Sequence, residues 1–325
     1  MIARGTLFGK APARLVLLAG VLLLIATTAL LAPSGAVAKV TKVKRPDVRI
    51  KVQTDPYYVI GGGRSNEVRV RVYIANRGRA STPVTYKIAV MLAEANGDLP
   101  VLDPVFAKSY AAEAIKPGEH RVDDFSIPNL PIGRYTLRAE AVTKGEVKTD
   151  DNVAYQKAFC VIPAIWRGTA SLWGTMINNP GTSGVTVRSD AVPDVTFIFT
   201  GKTGLGFVYT AAGSQIKQSV SGGNPIDFSG NGTFTVPDQS TPAMILSEDM
   251  LVYDLLGLAP MGTYKVVTTA HGHYFATIDF SFVDWLRTGP KDKKAQDTRL
   301  AGTSPILNNP SMTGDFTWIL EAVTQ

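Results

Sequence analysis

The sequence predicts an all-β protein of two sandwich-like domains, and three observations indicate this class. Apolar and polar residues alternate with a period of two in many short segments, as they do in strands with one buried face. Turn-forming residues separate these segments, and the 30 Gly and 20 Pro are scattered along the chain instead of clustered. The chain has 325 residues, of which 45% are hydrophobic, so it can bury two cores of ordinary size.

The N-terminal segment 1–38 has the pattern of a secretory signal peptide. A basic stretch without acidic residues comes first, with Arg4, Lys10 and Arg14. An uncharged run of 18 residues follows at 15–32, and residues 36–38 read Ala-Val-Ala, a site that a signal peptidase cleaves. We therefore expect cleavage after Ala38. The alternative is an uncleaved membrane anchor, because the run is at the lower length limit for crossing a bilayer.

Export determines the expected compartment and partners. We expect the mature chain in the periplasm, at the cell surface or secreted, without a membrane span if Ala38 is the cleavage site. Three of the basic residues behind the formal net charge of +6 lie in the signal segment, so the mature chain is only weakly basic. This small charge argues against nucleic acid and leaves a protein or glycan of the cell envelope as the expected partner.

Cys160 is the only cysteine of the chain. The chain therefore has no internal disulfide, and its stability must come from packing. The neighbours of Cys160 are apolar, which predicts a buried and unreactive thiol.

The first domain is predicted at residues 39–162. Segments 67–74, 86–92 and 134–142 alternate between apolar and polar residues, with turn signals between them. Short strands with one apolar face indicate an antiparallel sandwich. Residues 109–115 are compatible with a helical turn.

The second domain is predicted at residues 163–325 and also as all-β, either a sandwich or a barrel. It begins after an apolar strand, and segments rich in Val, Ile, Phe, Tyr and Thr recur along it. Residues 288–295 form a polar C-terminal tail, followed by one more strand-like run at 316–323.

Tyr135 and Tyr264 occupy similar positions in the two domains. Each follows a turn that contains Pro and Gly, and each begins an alternating strand. In sandwich domains a tyrosine at this point can turn its hydroxyl back to the backbone of the preceding corner. We predict structural tyrosine corners at both residues.

Residues 45–162 resemble the CARDB domain, an Ig-like sandwich whose name refers to cell adhesion in bacteria. An alternating strand ends in Asn-x-Gly at Asn76-Arg77-Gly78, and Ile-Lys-Pro-Gly-Glu follows at 115–119. Gly-Arg-Tyr-Thr-Leu-Arg stands at 133–138 and Asp-Asp-Asn at 150–152, where the family often has paired asparagines. The resemblance implies an extracytoplasmic interaction or spacer role and brings no catalytic residues.

Metal or catalytic chemistry has little support in the sequence. His271 and His273 are weak candidates for a metal site, because two histidines at this spacing can share a strand face but lack an evident third ligand. The pairs at 123–124 and 248–249 consist of adjacent acids, which can bind Ca²⁺ but are more often solvated. No serine-nucleophile, zinc-protease or phosphate-loop motif occurs. We therefore predict a non-enzyme without a cofactor.

The tryptophans are the better candidates for contact with a ligand or partner. All four border or lie in the second domain: Trp166, Trp173, Trp285 and Trp318. Exposed tryptophans suit flat binding of sugars or proteins, because a rigid ring offers a large area at little entropic cost. The alternative is that each packs in a sandwich core.

Three functions remain open at this point. The first is a non-enzymatic binding, adhesion or structural interaction protein of the cell surface or periplasm. The second is a module in the C-terminal domain that binds a carbohydrate or small ligand, for which a pocket lined by two or more tryptophans would be favourable. The third is a hydrolase with a site that sequence motifs do not reveal.

Overall fold

The structure is a computed structural model, and it describes residues 43–55, 58–61, 67–93, 103–146, 148–176, 185–222, 228–238, 240–268, 274–281, 285–307 and 312–323. The predicted signal segment with its cleavage site, and the two histidines His271 and His273, lie outside these residues. The part of the chain that is described forms strands and no helix, which confirms the all-β class. It therefore contains no helix with the length and apolar character needed to cross a bilayer.

Among the described residues of the first region, 43–163, there are eight strands. They are β1 (Val48–Asp55), β2 (Tyr58–Gly61), β3 (Glu67–Asn76), β4 (Thr82–Leu92), β5 (Phe106–Ile115), β6 (His120–Pro128), β7 (Gly133–Val142) and β8 (Val153–Pro163). The helical turn considered for residues 109–115 is wrong, because this segment belongs to the strand β5 and pairs with β4.

The strands of the first region form two sheets, in the orders β1-β3-β6 and β2-β8-β7-β4-β5. In β3 every second side chain is buried, beginning at Val68, and the polar residues between them face outward. β1 and β7 alternate in the same way, so apolar faces from both sheets share one hydrophobic core. The predicted period-two segments thus become the two layers of a sandwich.

Asn76 joins three turns at one end of this sandwich. Its buried side-chain amide donates to the carbonyl oxygens of Ala80 at 2.8 Å and Ile115 at 2.9 Å. Its Oδ1 accepts from the backbone N–H groups of Gly78 at 2.9 Å and Asp47 at 3.3 Å. Asn76 therefore satisfies four backbone groups, which explains the Asn-x-Gly motif as a structural one.

Tyr135 forms the predicted corner contact. Its ring is buried, and its hydroxyl donates to the carbonyl oxygen of Pro131 at 2.7 Å. Burial raises the pKa of this phenol to about 12. The second predicted corner residue, Tyr264, lies in a strand of which only the backbone is described at that position, so its corner stays a prediction.

In the second region, residues 165–323, the described segments form twelve strands. They are β9 (Ile165–Met176), β10 (Val185–Thr203), β11 (Gly206–Ala211), β12 (Ser214–Gly222), β13 (Phe228–Val236), β14 (Pro242–Leu246), β15 (Val252–Leu258), β16 (Met261–Thr268), β17 (Tyr274–Ser281), β18 (Trp285–Asp292), β19 (Arg299–Pro305) and β20 (Met312–Val323).

These strands belong to one hydrogen-bonded sheet that curves around its own core. Eight of them are neighbours in the order β19-β20-β9-β10-β11-β14-β15-β18, and β12, β13, β16 and β17 extend from the first half of β10. The hydroxyl of Ser304 on β19 donates to the carbonyl oxygen of Thr288 on β18 at 3.2 Å, which links the two ends of the series. The strand β18 overlaps the predicted polar tail at 288–295, so part of that tail is a strand.

The buried hydrophobic residues form two clusters, one in each region. Three residues from before the predicted boundary, Ile132, Cys160 and Ile162, belong to the cluster of the second region. Lys44–Gln325 as a whole is one compact unit. The domain boundary between residues 162 and 163 therefore stays a prediction.

Cys160 lies in the contact between these regions. Its thiol is buried and donates to the carbonyl oxygen of Glu248 at 3.4 Å. Burial raises its pKa to about 11, so the reactive thiolate is scarce at neutral pH. The burial of the thiol agrees with the prediction made from the apolar neighbours of Cys160.

Candidate functional site: the Trp173 face

The four tryptophans have different environments. Trp166, Trp285 and Trp318 are fully buried, whereas 71% of Trp173 is exposed. The three buried rings pack in the core of the second region, so a partner cannot reach them in this structure. Core packing, the alternative that the sequence left open, therefore describes Trp166, Trp285 and Trp318. Trp173 is the accessible candidate.

Strand alternation on β9 explains why Trp173 points outward. Trp166, Ala170 and Leu172 have their side chains in the core, so Trp173 emerges on the opposite face of the sheet. β9 lies between β10 and β20 in the sheet. Trp173 is therefore held by a strand with hydrogen-bonded neighbours on both sides and not by a loop.

The strand β20 brings a distant part of the chain next to Trp173. Its register pairs Asp315 with Trp173, Thr317 with Ser171 and Ile319 with Thr169. The strand β19 extends the same rows with Pro305, Thr303 and Ala301. Directly paired residues share a face. We call this surface the Trp173 face; it consists of Thr169, Ser171, Trp173, Thr175, Ala301, Thr303, Pro305, Thr313, Asp315, Thr317 and Ile319.

The Trp173 face is rich in hydroxyl groups. The hydroxyls of Thr303 and Thr317 lie 3.4 Å apart and mark the row next to Trp173. On the strands β9, β19 and β20, Asp315 is the ionisable residue of these rows, and the charged residues Arg167, Glu321 and Arg299 form the row beyond them. On the other side of β9, the register pairs Arg188 of β10 with Trp173. The aromatic ring of Trp173 therefore lies between a strand position with a carboxylate and one with a guanidinium group, next to a row of hydroxyls.

Glycine permits the close approach of β20 to β9 beside Trp173. Gly314 has a φ of +149°, and a Cβ at this position would meet the carbonyl oxygen of Trp173 at 2.2 Å. The backbone N–H of Ile306 donates to the Gly314 carbonyl at 2.8 Å. The position of Trp173 relative to Asp315 thus depends on the missing side chain at residue 314.

The inner side of the same sheet is firmly packed. The indole N–H of Trp318 donates to the hydroxyl of Tyr253 at 3.1 Å, and its ring lies against Gly302, where a Cβ would meet it at 2.6 Å. Trp285 contacts Phe316 edge to face at a centroid distance of 5.8 Å. These buried rings support the Trp173 face from below, so its residues are held in fixed relative positions.

A polar groove of about 380 Å³ lies on the first region, on the outer face of the sheet β1-β3-β6. It is lined by Gln53, Asp55, Arg69, Val70, Arg71, Asp124, Phe125 and Ser126. Arg71 donates to both carboxylate oxygens of Asp124, at 2.7 and 3.1 Å. This contact holds the pKa of Asp124 below its ordinary value, so its carboxylate stays ionised at neutral pH.

The two acids of this groove lie on separate strands. Asp55 is on β1 and Asp124 is on β6, on either side of the central strand β3 and two residues apart in register. A glycosidase needs one carboxyl group that protonates the leaving group. Asp124, which Arg71 holds ionised, is unsuited to that role.

A second groove of about 520 Å³ lies on the strands β12, β13 and β16. Its lining residues are Lys217, Gln218, Ser219, Asn231, Gly232, Thr233 and Lys265. Neither groove is lined by a tryptophan, so neither matches the aromatic pocket that the small-ligand hypothesis expects.

The adjacent acids considered for Ca²⁺ have protein partners. Asp123 accepts from the hydroxyl of Tyr86 at 2.6 Å and from Arg121 at 2.7 Å, and it lies on the face of β6 opposite to Asp124. Lys202 contacts Glu248 at 2.7 Å, and Asp249 accepts from the Leu251 N–H at 3.1 Å. Within the described residues no group of three or more His, Cys, Asp and Glu side chains could hold a metal ion.

Sequence reasoning missed the partners of Trp173. The alternation of Thr313, Asp315, Thr317 and Ile319 is visible in the sequence and predicts an outward face on that segment. No local signal pairs it with Trp173, because strand neighbours distant in sequence are chosen by the whole fold.

Two solved structures of the CARDB domain of the PF1109 protein from Pyrococcus furiosus resemble this chain. The crystal structure, determined in complex with di-metal ions, is 19% identical with a TM-score of 0.28, and the match covers 38% of this chain and 98% of that domain. The solution NMR structure is 21% identical with a TM-score of 0.28, over 37% of this chain and 97% of that domain.

No protein-family model matches the chain. No curated protein matches it either.

Proposed function

We propose that the protein is an exported, non-enzymatic binding protein of the cell envelope that contacts its partner through the Trp173 face. The observation that carries this proposal is the exposure of Trp173, 71% of whose surface is open to solvent on a strand that is paired on both sides. An isolated tryptophan on a surface costs free energy in water, and that cost is recovered when a partner covers the ring.

Two further features support this function. The N-terminal segment up to Ala38 has the pattern of a signal peptide, which directs the chain to the envelope. In the first groove Asp124 is paired with Arg71, which makes its carboxylate a poor proton donor. The first region then acts as spacer or docking domain, and the second carries the recognition surface.

Fractionation of cells tests export. We expect the chain in the periplasm or at the surface, with Lys39 as the N-terminal residue in protein sequencing. Recovery in the cytosol with the first 38 residues intact would contradict the proposal.

Binding to the cell envelope tests the surface. The purified mature protein should co-sediment with the envelope fraction, and Trp173→Ala should abolish co-sedimentation without changing the circular dichroism spectrum or the thermal midpoint. Leu205→Ala is a matched control, because Leu205 is 74% exposed but lies in the turn between β10 and β11. Equal binding of wild type and Trp173→Ala would remove the Trp173 face from the proposal.

A further inference from the structure

The groove on β12, β13 and β16 carries positive charge and lies outside the Trp173 face. Its described lining residues include Lys217 and Lys265 and contain no Asp or Glu. Both lysines are exposed, and within the described part of the chain neither has an ion-pair or hydrogen-bond partner. Two like charges in one groove repel each other, so an anion between them lowers the electrostatic energy. We call this surface the lysine groove; it consists of Lys217, Gln218, Ser219, Asn231, Gly232, Thr233 and Lys265.

Strand register directs the two lysines to one point. Lys217 of β12 pairs with Thr233 of β13, and Asn231 of β13 pairs with Lys265 of β16. The lysines therefore lie diagonally across β13, two residues apart in register. Lysine side chains are long and flexible, so both ammonium groups can reach one anion that lies over β13.

Uncharged donors lie between the two lysines. Asn231 and Thr233 are exposed on β13, and Ser219 pairs with Asn231 from β12. The amide N–H groups and hydroxyls of these residues can donate to phosphate, sulfate or carboxylate oxygens. The lysine groove thus combines two cations with neutral donors, which complements an oxyanion.

The basic strand positions are clustered, with acids at the margins. Arg188 of β10 pairs with Ser219, so basic residues occupy strand positions on three sides of Ser219 and Asn231. Two acids flank this group along the sheet: Asp190 lies where the register of β10 shifts, and Asp279 lies on β17. A long polyanion such as nucleic acid would meet these acids, whereas a single anionic group over β13 meets the lysines.

We propose that the lysine groove binds one oxyanion group, a phosphate, sulfate or carboxylate, that is carried by a larger molecule. The ammonium groups of Lys217 and Lys265 bind the oxyanion oxygens, and Asn231 and Thr233 donate to them from β13. The groove has a volume of about 520 Å³, more than one such ion fills, so the carrier molecule occupies the rest. This inference goes beyond the proposed function, because it adds a second site that shares no residue with the Trp173 face.

Titration of the isotope-labelled mature chain, followed by NMR, tests the inference. The probes are inorganic phosphate, glucose phosphate, glucose sulfate and galacturonate, and glucose is the uncharged control. We expect chemical-shift changes at the residues of the lysine groove with at least one charged probe and none with glucose. Binding of glucose with the same affinity as its phosphate and sulfate would overturn the inference.

Paired substitutions separate the site from the overall charge of the chain. Lys217→Gln/Lys265→Gln should lower the affinity about tenfold or more, because each ammonium group contributes a charge-assisted hydrogen bond. Lys51→Gln/Lys87→Gln is the matched control: it removes two exposed strand lysines of the first region and the same net charge, and should change the affinity less than about twofold. Equal affinities of the two double variants would overturn the inference.

Two further measurements sharpen the test. Lys217→Arg/Lys265→Arg keeps both charges and should retain binding. The affinity for the charged probes should fall between about 0.05 and 0.5 M NaCl, because salt screens exposed charges, and a constant affinity would contradict the site. Soluble probes replace the envelope in all these titrations, so their outcome is independent of the envelope binding that Trp173→Ala tests.

Discussion

Each region of the molecule exposes the outer face of an antiparallel sheet, and the two faces differ in chemistry. The face of β1-β3-β6 carries Arg69, Arg71, Asp55 and Asp124, whose side chains are solvated or paired with one another. The Trp173 face carries hydroxyls around one exposed indole. Both faces continue the alternation of their strands, so secondary structure alone does not distinguish them.

This difference indicates which face is used for binding. Charged side chains keep a sheet surface wet and oppose association, and exposed ion pairs contribute little to stability. A solvent-exposed indole in the centre of a sheet favours association instead. Four substitution or pH experiments test whether the two faces, and the packing beneath them, behave in this way.

The largest effect is expected at Asn76, which supports the sandwich that presents the charged face. Asn76→Leu leaves the carbonyls of Ala80 and Ile115 and the N–H of Gly78 without their buried partner. We expect a loss of about 4 kcal/mol in the free energy of unfolding, measured by urea denaturation. Asn76→Asp retains the acceptor but faces the carbonyl oxygens of Ala80 and Ile115 with a buried carboxylate, so it should also be destabilising. A loss below about 1 kcal/mol in Asn76→Leu would contradict the role of the amide as a bridge between turns.

The next effect is expected at Gly314, which supports the Trp173 face. A Cβ at this position would press on the Trp173 carbonyl, and φ of +149° is unfavourable for alanine. Gly314→Ala should lower the free energy of unfolding by about 3 kcal/mol and weaken envelope binding. Gly201→Ala is the control, because a Cβ at Gly201 meets no atom within 4 Å. Undiminished binding by Gly314→Ala would show that the geometry beside Trp173 is not critical.

A smaller effect is expected from a buried cation of the second region. The Lys293 ammonium donates to the carbonyls of Met250 at 3.2 Å and Lys294 at 2.6 Å, and burial lowers its pKa to about 8. The unfolded lysine has a pKa near 10.5 and therefore binds more protons than the folded one between about pH 8 and 10.5. The contribution of Lys293 to stability thus rises with pH across this window and is lowest below pH 8.

Comparison with Lys293→Met isolates this titration. Between pH 7 and about 9.5 the wild type should gain about 1–2 kcal/mol in unfolding free energy relative to the variant, measured by urea denaturation at each pH. A parallel pH profile for both proteins would mean that Lys293 keeps its ordinary pKa.

The smallest effect is expected on the charged face itself. Arg71→Gln removes an ion pair in which both side chains are more than half exposed, at 54% and 59%. We expect no measurable change in the thermal midpoint or in envelope binding, because water and salt screen such a pair. Loss of envelope binding in Arg71→Gln would reverse the comparison and place the recognition surface on the first region.

Several features could be predicted from the sequence because local chemistry controls them. The alternation in segments such as 67–74 predicted which side chains of β3 enter the core, and the turn ahead of Tyr135 predicted its contact with Pro131. The helical turn at 109–115 was wrong, because pairing of β5 with β4 overrides weak local preferences.

Only part of the candidate site could be predicted from the sequence, and the physical reason is a different one. Period-two alternation predicts which residues share one side of a strand, but the tertiary fold determines which side packs against the core. Trp166, Trp173, Trp285 and Trp318 are chemically alike, and only the curvature of the sheet around one core buries three of them.

The amino-acid sequence alone determines the strand-forming pattern, the turns, the single thiol and the signal-like N-terminus, because each depends on residues close together in the chain. The neighbours of Trp173 come from the tertiary structure. Asp315 and Thr303 reach it through long-range strand pairing. The free energy of that pairing comes from burying apolar faces all around the core, a sum over the whole region that no local segment contains.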